Sequence, residues 1–288
     1  MTLLSRQDLA SDVWGGLASM LVALPASMAF GVAVFSALGP SFASQGAAYG
    51  ILGAAAIGIV APLVGGTERL VSAPCAPAAA VLGAFALDAA SRQTPPERAL
   101  QLLALVALAS AALQLVYGAI GGGTLIKYIP YPVVTGYLSG VGVVIFLKQL
   151  PGLLGLPPGV GVWQGLATPD LWRGPALVVG LVTIAVMVLA PRVTRAVPAA
   201  ILALLAGAAA YFALAQARPE LLRLEGNPLV VGTIGGSLAD AASARWAGLG
   251  AVRLADLALA AVPALTLSVL LSIDTLKTCV VVDALTRT

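Results

Sequence analysis

The stretch Gly65-Gly66-Thr67-Glu68-Arg69-Leu70-Val71-Ser72-Ala73-Pro74-Cys75-Ala76-Pro77, which runs into Ala78–Leu87, decides how this chain is read. Pro74 and Pro77 stand three residues apart. Each lacks an amide donor, and each ring clashes with the preceding turn, so a regular helix does not run through them. Immediately downstream, Ala78-Ala79-Ala80-Val81-Leu82 is strongly helical in composition. The simplest expectation is an extended piece, Leu70–Ala73, followed by a half-helix that begins inside a membrane. A helix N-terminus presents free N–H groups and about half a positive charge. It can hold an anion without any basic side chain, and interrupted helices of this kind mark binding sites in secondary transporters. The competing picture is a continuous, proline-kinked helix packed against its neighbours, and proline spacing alone leans that way.

The rest of the chain explains why a membrane is invoked. Of 288 residues, 60% are hydrophobic and 9% charged, and the mean hydropathy is +1.01. Soluble domains carry about 25% charged residues, so a water-soluble globule is excluded, and so much apolar surface also excludes a disordered chain. The absence of histidine removes His-based triads, His–Zn sites and imidazole shuttles. Cys75 and Cys279 lie far apart in apolar segments, which is neither a disulfide framework nor a zinc motif. At a net charge of +3 and with no long Lys/Arg run, nucleic acid is not an expected partner. No metal site, catalytic set or cofactor is implied. The partner is a lipid bilayer.

Charge-free intervals count the crossings. No Asp, Glu, Lys or Arg occurs from Val13 to Thr67, enough for two spans of about 20 residues each, with Gly39-Pro40 as the turn between them. Further intervals give eight expected segments, near 14–35, 44–64, 70–88, 99–119, 131–150, 174–190, 197–215 and 254–283. They should be helical, because lipid cannot satisfy backbone polar groups. No period-two alternation points to a barrel. Nor does the N-terminus have the basic region, short apolar core and cleavage site of a signal peptide. Trp14, Trp163, Trp172, Trp246, Tyr128 and Tyr131 fall near span ends, as interfacial aromatics do. With an even count both termini share a side, and Arg69, Lys127, Arg192 and Arg195 against Arg92, Arg98 and Arg173 weakly favour a cytoplasmic N-terminus. The polar stretch Gln216–Arg253 then lies outside as an ordered loop.

Two other segments carry chemistry. In the first span, Pro25 introduces a kink. Small residues at 26, 27, 29 and 31 allow close backbone approach, and Phe30 could wall a pocket. Ordinary small-residue packing is the stronger reading there. The last span holds Asp274, Lys277 and Thr278, and ionisable groups this deep are expensive and usually functional. Thr278 lies one helical turn from Asp274 on the same face. A carboxylate and a hydroxyl form a partial oxygen ligand set for a hard cation; a desolvated carboxylate could instead carry a proton. The plainer alternative is an Asp274–Lys277 pair that only neutralises itself. Asp283, about 14 Å further along the axis, is expected at the cytoplasmic interface.

With those residues in hand, the chain resembles the membrane domain of the sulfate permease (SulP) anion-transporter family, related to prestin-type anion exchangers. Pro25–Gly31 (PASMAFG) resembles P-Q-G-M-A-Y-A, and Gly66–Ala78 (GTERLVSAPCAPA) resembles G-T-S-R-x-I-S-x-G-P-x-A-V. Ile129–Gly155 resembles I-P-x-P-V-x-x-G-F-x-x-G…Q-L-x-x-L-L-G, and Ile273–Thr286 resembles I-E-S-L-L-T-A-x-V-V-D-D-L-T. Each motif is loose, but four in order over nearly the whole chain are fairly specific.

The resemblance implies an all-α polytopic membrane protein. Its eight segments would come from a 7+7 inverted-repeat fold shared with nucleobase permeases, with the third segment a half-helix preceded by a short extended stretch. It implies a core (transport) domain from residues 1–122 (segments 1–4) and 254–288 (segment 8). A gate domain would comprise residues 123–215 (segments 5–7), with an extracytoplasmic loop at 216–253. The partner half-helix, the rest of the second repeat and the usual STAS domain are not in this sequence, which is expected to belong to a longer transporter. The implied substrate-binding residues are Phe30, Ser72, Pro74, Cys75 and Ala76; the ion-coupling residues are Asp274 and Thr278. The implied partners are a small anion plus H⁺ or Na⁺, and a homodimer could form. The implied location is a bacterial inner membrane. Ala26 stands where the family commonly has Gln, Pro74 replaces a common Gly, Ala76 a frequent aromatic and Lys277 an apolar residue, so the pocket is expected to be reshaped. The leading expectation is proton-coupled symport of a dicarboxylate, sulfate or bicarbonate. The alternatives are Na⁺ coupling, a nucleobase permease, a channel-like conductance, or an inert membrane fragment or scaffold. An enzyme is the weakest option.

Overall fold

The structure, a computed structural model, describes residues 6–64, 70–124, 131–157, 160–194, 197–223, 227, 230 and 253–286. Among these residues it is all helical, with nine α-helices and short 3₁₀ turns between some of them. They are α1 (Arg6–Phe35), α2 (Ala43–Val64), α3 (Ala76–Ser91), α4 (Pro96–Ala119) and α5 (Tyr131–Leu154), then α6 (Val162–Ala167), α7 (Gly174–Val193), α8 (Ala199–Ala217) and α9 (Leu254–Thr286). Six are long and apolar enough to cross a membrane: α1, α2, α4, α7, α8 and α9. The 24-residue α5 occupies the place of the fifth expected segment. With 16 residues, α3 is about 24 Å long, short of a bilayer core of about 30 Å. The chain is therefore a multi-pass membrane protein.

Residues 70–75 carry no helix, and α3 begins at Ala76. The kinked continuous helix is thus replaced by a break. By contrast, α1 continues through Pro25 and α9 through Pro263, because a lone proline bends a helix that has tertiary support on both sides. The expected turn between the first two spans is present. Gly39 has φ +140°, a conformation that side-chain-bearing residues rarely adopt. Sequence reading placed no element at α6. The expected loop at 216–253 lies mostly outside the described residues, as do Glu68, Arg69, Lys127, Tyr128, Arg195, Trp246 and the side chain of Asp283.

The chain divides into two compact units. One comprises Met1–Pro25 with Gly140–Thr233, the other Ala26–Ser139 with Ile234–Thr288. The divisions fall inside α1, directly after Pro25, and inside α5.

In the second unit α1 crosses α2 backbone to backbone. A Cβ added to Gly31 would lie 2.0 Å from the carbonyl oxygen of Gly46, and one on Gly50 would lie 2.2 Å from that of Ser27. Ser27–Gly31 and Gly46–Gly50 are both small residues four apart, the spacing that lets helices approach closely in lipid. Phe35 then stacks on Tyr49, ring centroids 5.3 Å apart. Packing is thus the observed use of Ser27 and Gly31.

The same unit has a core seam between α4 and α9. Leu102, Leu105 and Val106 meet Ala260, Ala264 and Leu267, with Ala78, Val81, Leu82 and Phe85 of α3 packed against them. The other side of α3 joins Ala86 to Val34, Leu100 and Leu103. The Arg98 guanidinium and Asp256 carboxylate pair at the N-terminal ends of α4 and α9, and further along Tyr117 Oη lies 3.4 Å from Ser268 Oγ. These two ties fix α4 and α9 in the same direction. Because α3 returns into α4 through a four-residue connection, α3 is antiparallel to both.

In the first unit α7 and α8 form an antiparallel hairpin. Thr183 Oγ1 donates to the Val179 carbonyl at 2.8 Å. Beyond α8, Tyr211 Oη donates to the Leu221 carbonyl, and Asn227 Nδ2 donates to both, at 2.9 and 2.8 Å. Every polar group named here has a partner, as burial in an apolar surrounding requires.

Candidate functional site

The site is built at the start of α3. Cys75 is the N-cap, its backbone extended at φ −119° and ψ 154°. The first helical bond runs from the Ala79 amide to the Cys75 carbonyl at 3.2 Å. Pro77 takes the second helical position, where its missing N–H costs nothing because first-turn amides have no intrahelical partner. The free donors of that turn are therefore the amides of Ala76 and Ala78. The Cys75 side chain makes no cap hydrogen bond to them. Ser72, Ala73, Pro74, Cys75 and Ala76 are all half-buried and Pro77 is buried. The Pro74 ring stands 3.9 Å from where a Cβ on Gly53 of α2 would be, so α2 backs the extended stretch.

The opposite wall comes from α9. In the antiparallel packing of α3 on α9, Ala78, Val81, Leu82 and Phe85 share one apolar cluster with Ala260, Ala264, Leu267 and Leu271. The start of α3 therefore faces the stretch of α9 beyond Leu271, which holds Asp274. Asp274 is half-buried, as is Thr278. The Thr278 hydroxyl donates to the backbone carbonyl of Asp274 at 2.7 Å. Its proton is therefore committed, while its lone pairs stay free to accept. Lys277 is buried at 9% exposure, three residues from the acid. Phe30 is half-buried on α1, one residue before the Gly31 crossing.

The helix packing thus turns the start of α3 towards the part of α9 that holds Asp274 and Thr278, about 200 residues on in the sequence. Sequence reasoning missed the Arg98–Asp256 pair. Asp256 Oδ2 also accepts from the Arg253 amide at 2.7 Å, a capping arrangement in which the third helical residue reaches back to the N-cap. The signal was present as an acid three residues after the last polar loop residue.

The model of the sulfate permease family matches residues 9–288. The chain belongs to the sulfate permease family. Among curated relatives, the bicarbonate transporter BicA of Picosynechococcus sp. is 29% identical over 290 residues, covering 98% of this chain and 47% of that protein. BicA of Synechocystis sp. is 28% identical over 167 residues, 57% of this chain and 28% of its own length. The chain thus spans about half the length of the first relative or less. Among solved structures, the transmembrane domain of a cyanobacterial BicA superposes with a TM-score of 0.67 at 27% identity, covering 97% of this chain and 67% of that one. The family and these relatives carry the names of transporters, not of enzymes.

Proposed function

We propose that this chain is the N-terminal part of a secondary active anion transporter. The observation that carries the reading is the broken third segment: residues 70–75 are non-helical, and α3 starts afresh at Ala76. An anion would bind the amides of Ala76 and Ala78 with Ser72, Pro74 and Cys75 around it and Phe30 as a wall. Backbone dipoles favour negative charge there without a counter-ion side chain. Bicarbonate heads the candidate anions, since the relatives above are named for it; sulfate and dicarboxylates fit the same donors.

Asp274 is the coupling group. A proton taken up by a carboxylate beside the bound anion removes a like-charge repulsion, which links ion and anion in one cycle. Sodium is the second reading, supported by the adjacent oxygens of Asp274 and Thr278. The division of the chain into two compact units supports core and gate domains, with residues 1–25 grouped with 140–233 instead of with the expected core, and the core carrying the site across an inner membrane. Eight segments fit the direction of the helices. Because α4 and α9 run the same way, an odd number of crossings must separate them, and α5, α7 and α8 supply three.

The test is reconstitution of the full-length protein and measurement of bicarbonate or sulfate uptake under an imposed pH or Na⁺ gradient. Asp274→Asn is expected to lose gradient-driven accumulation by more than tenfold while retaining anion exchange. Wild-type accumulation by this variant would overturn the coupling role.

A further inference from the structure

The first unit holds a feature that the anion site does not use. Between α5, α7 and α8 runs a groove of about 460 Å³, walled by Phe146, Leu150 and Leu153 of α5, Val179 and Ile184 of α7 and Tyr211 of α8. Its polar side chains are mostly engaged. Thr183 donates to the Val179 carbonyl and Tyr211 to the Leu221 carbonyl, which leaves Gln149. Such a lining offers little to a polar solute and suits a hydrocarbon chain.

One end of the groove carries charge. The Arg173 amide donates to the Leu154 carbonyl at 2.9 Å, tying the start of α7 to the end of α5, and Ala176, three residues on, lines the groove. A Cβ on Gly155 would lie 2.8 Å from Arg173 Cβ and 3.3 Å from its Cγ, so the Arg173 stem lies across the end of α5. Arg173 is half-buried, and among the described residues no carboxylate pairs with its guanidinium. Arg218 and Arg223 follow the end of α8, which the antiparallel hairpin brings level with the start of α7; exposed Asp170 and Glu220 accompany them. Trp163 is 74% exposed, and Trp172 Nε1 donates to the Gly165 carbonyl at 2.8 Å. Tryptophans beside a span end mark the headgroup level. From there the groove runs into the hydrocarbon, since Phe146 precedes Leu153 by seven helical residues, about 10 Å along the axis.

We propose that this groove binds an anionic phospholipid, its phosphate on Arg173 and one acyl chain between α5, α7 and α8. A guanidinium matches a phosphate in charge and in fork geometry. The charge selects the occupant: an apolar helix would fill the groove but leave a half-buried guanidinium without an anion.

The test places the full-length protein, carrying Phe146→benzoylphenylalanine, in vesicles of equal parts phosphatidylglycerol and phosphatidylethanolamine. Photo-adducts are identified by mass spectrometry. Phe212, 61% exposed on α8 and outside the groove lining, is the control position. Adducts at Phe146 are expected to be enriched about fivefold in phosphatidylglycerol, the worth of one arginine near an anionic lipid, while those at Phe212 follow the bilayer ratio. Arg173→Met is expected to remove the enrichment. Gly152 lines the groove with open space where a Cβ would stand, so Gly152→Leu fills it and is expected to lower lipid adducts at Phe146 whichever headgroup they carry. Adducts at Phe146 in the bilayer ratio, enrichment that survives Arg173→Met, or cross-links to another part of the chain or to a second copy in place of lipid would each overturn the proposal.

Discussion

At Gly31 the argument reduces to one missing methyl group. Its hydrogen lets the α1 backbone lie against the Gly46 carbonyl, and a Cβ there would sit at 2.0 Å, far inside van der Waals contact. Gly31→Ala is therefore expected to destabilise the protein by about 1–3 kcal/mol through forced separation of the helices, read as a lower unfolding midpoint in detergent. Gly58 of α2 supplies the control, since a Cβ there would meet nothing within 4 Å. Gly58→Ala should be neutral or slightly stabilising, as alanine is the better helix former. Equal effects at both positions would contradict the crossing. The small residues of the first span were legible in the sequence, because size alone announces close approach. Which of them face α2 was not, since that depends on a partner helix whose register the sequence does not state.

For α3 the break was one of two legible readings, proline spacing alone leaning towards a kinked continuous helix. Two prolines forbid helix upstream, the alanine run invites it downstream, and the structure starts the helix between them at Ala76. The illegible part was its neighbours. Contacts between α3 and α9 join residues almost 200 positions apart, and hydropathy marks both as apolar without saying that they touch. The Arg98–Asp256 pair is similar: each charge was visible near a span end, but their pairing depends on α4 and α9 running in parallel. With side chains 29% and 8% exposed, the pair is partly sheltered from solvent. Arg98→Met keeps the aliphatic stem and removes the charge. It is expected to cost about 1.5–3 kcal/mol, the usual worth of a hydrogen bond to a charged group, measured as thermal unfolding in detergent. No change in midpoint would show that the Arg253 amide alone suffices for Asp256.

Across the whole molecule, composition was enough to specify a multi-pass membrane protein, because 9% charge over 288 residues leaves no water-soluble alternative. Four ordered motifs pointed to the family that the full-length match establishes. Substrate was not legible. An anion site made of backbone amides looks alike in sequence whichever anion it holds, and Ala26, Pro74 and Ala76 remove the side chains that would narrow the choice. The central claim is that an anion meets the chain at the start of α3. The most direct measurement is the rate at which a methanethiosulfonate reagent modifies Cys75 in the full-length protein carrying Cys279→Ala, with and without bicarbonate or sulfate. A transported anion is predicted to slow modification in proportion to its occupancy, with half-protection at its transport KM. An unchanged rate at saturating concentrations of an anion that the protein demonstrably transports would contradict the account.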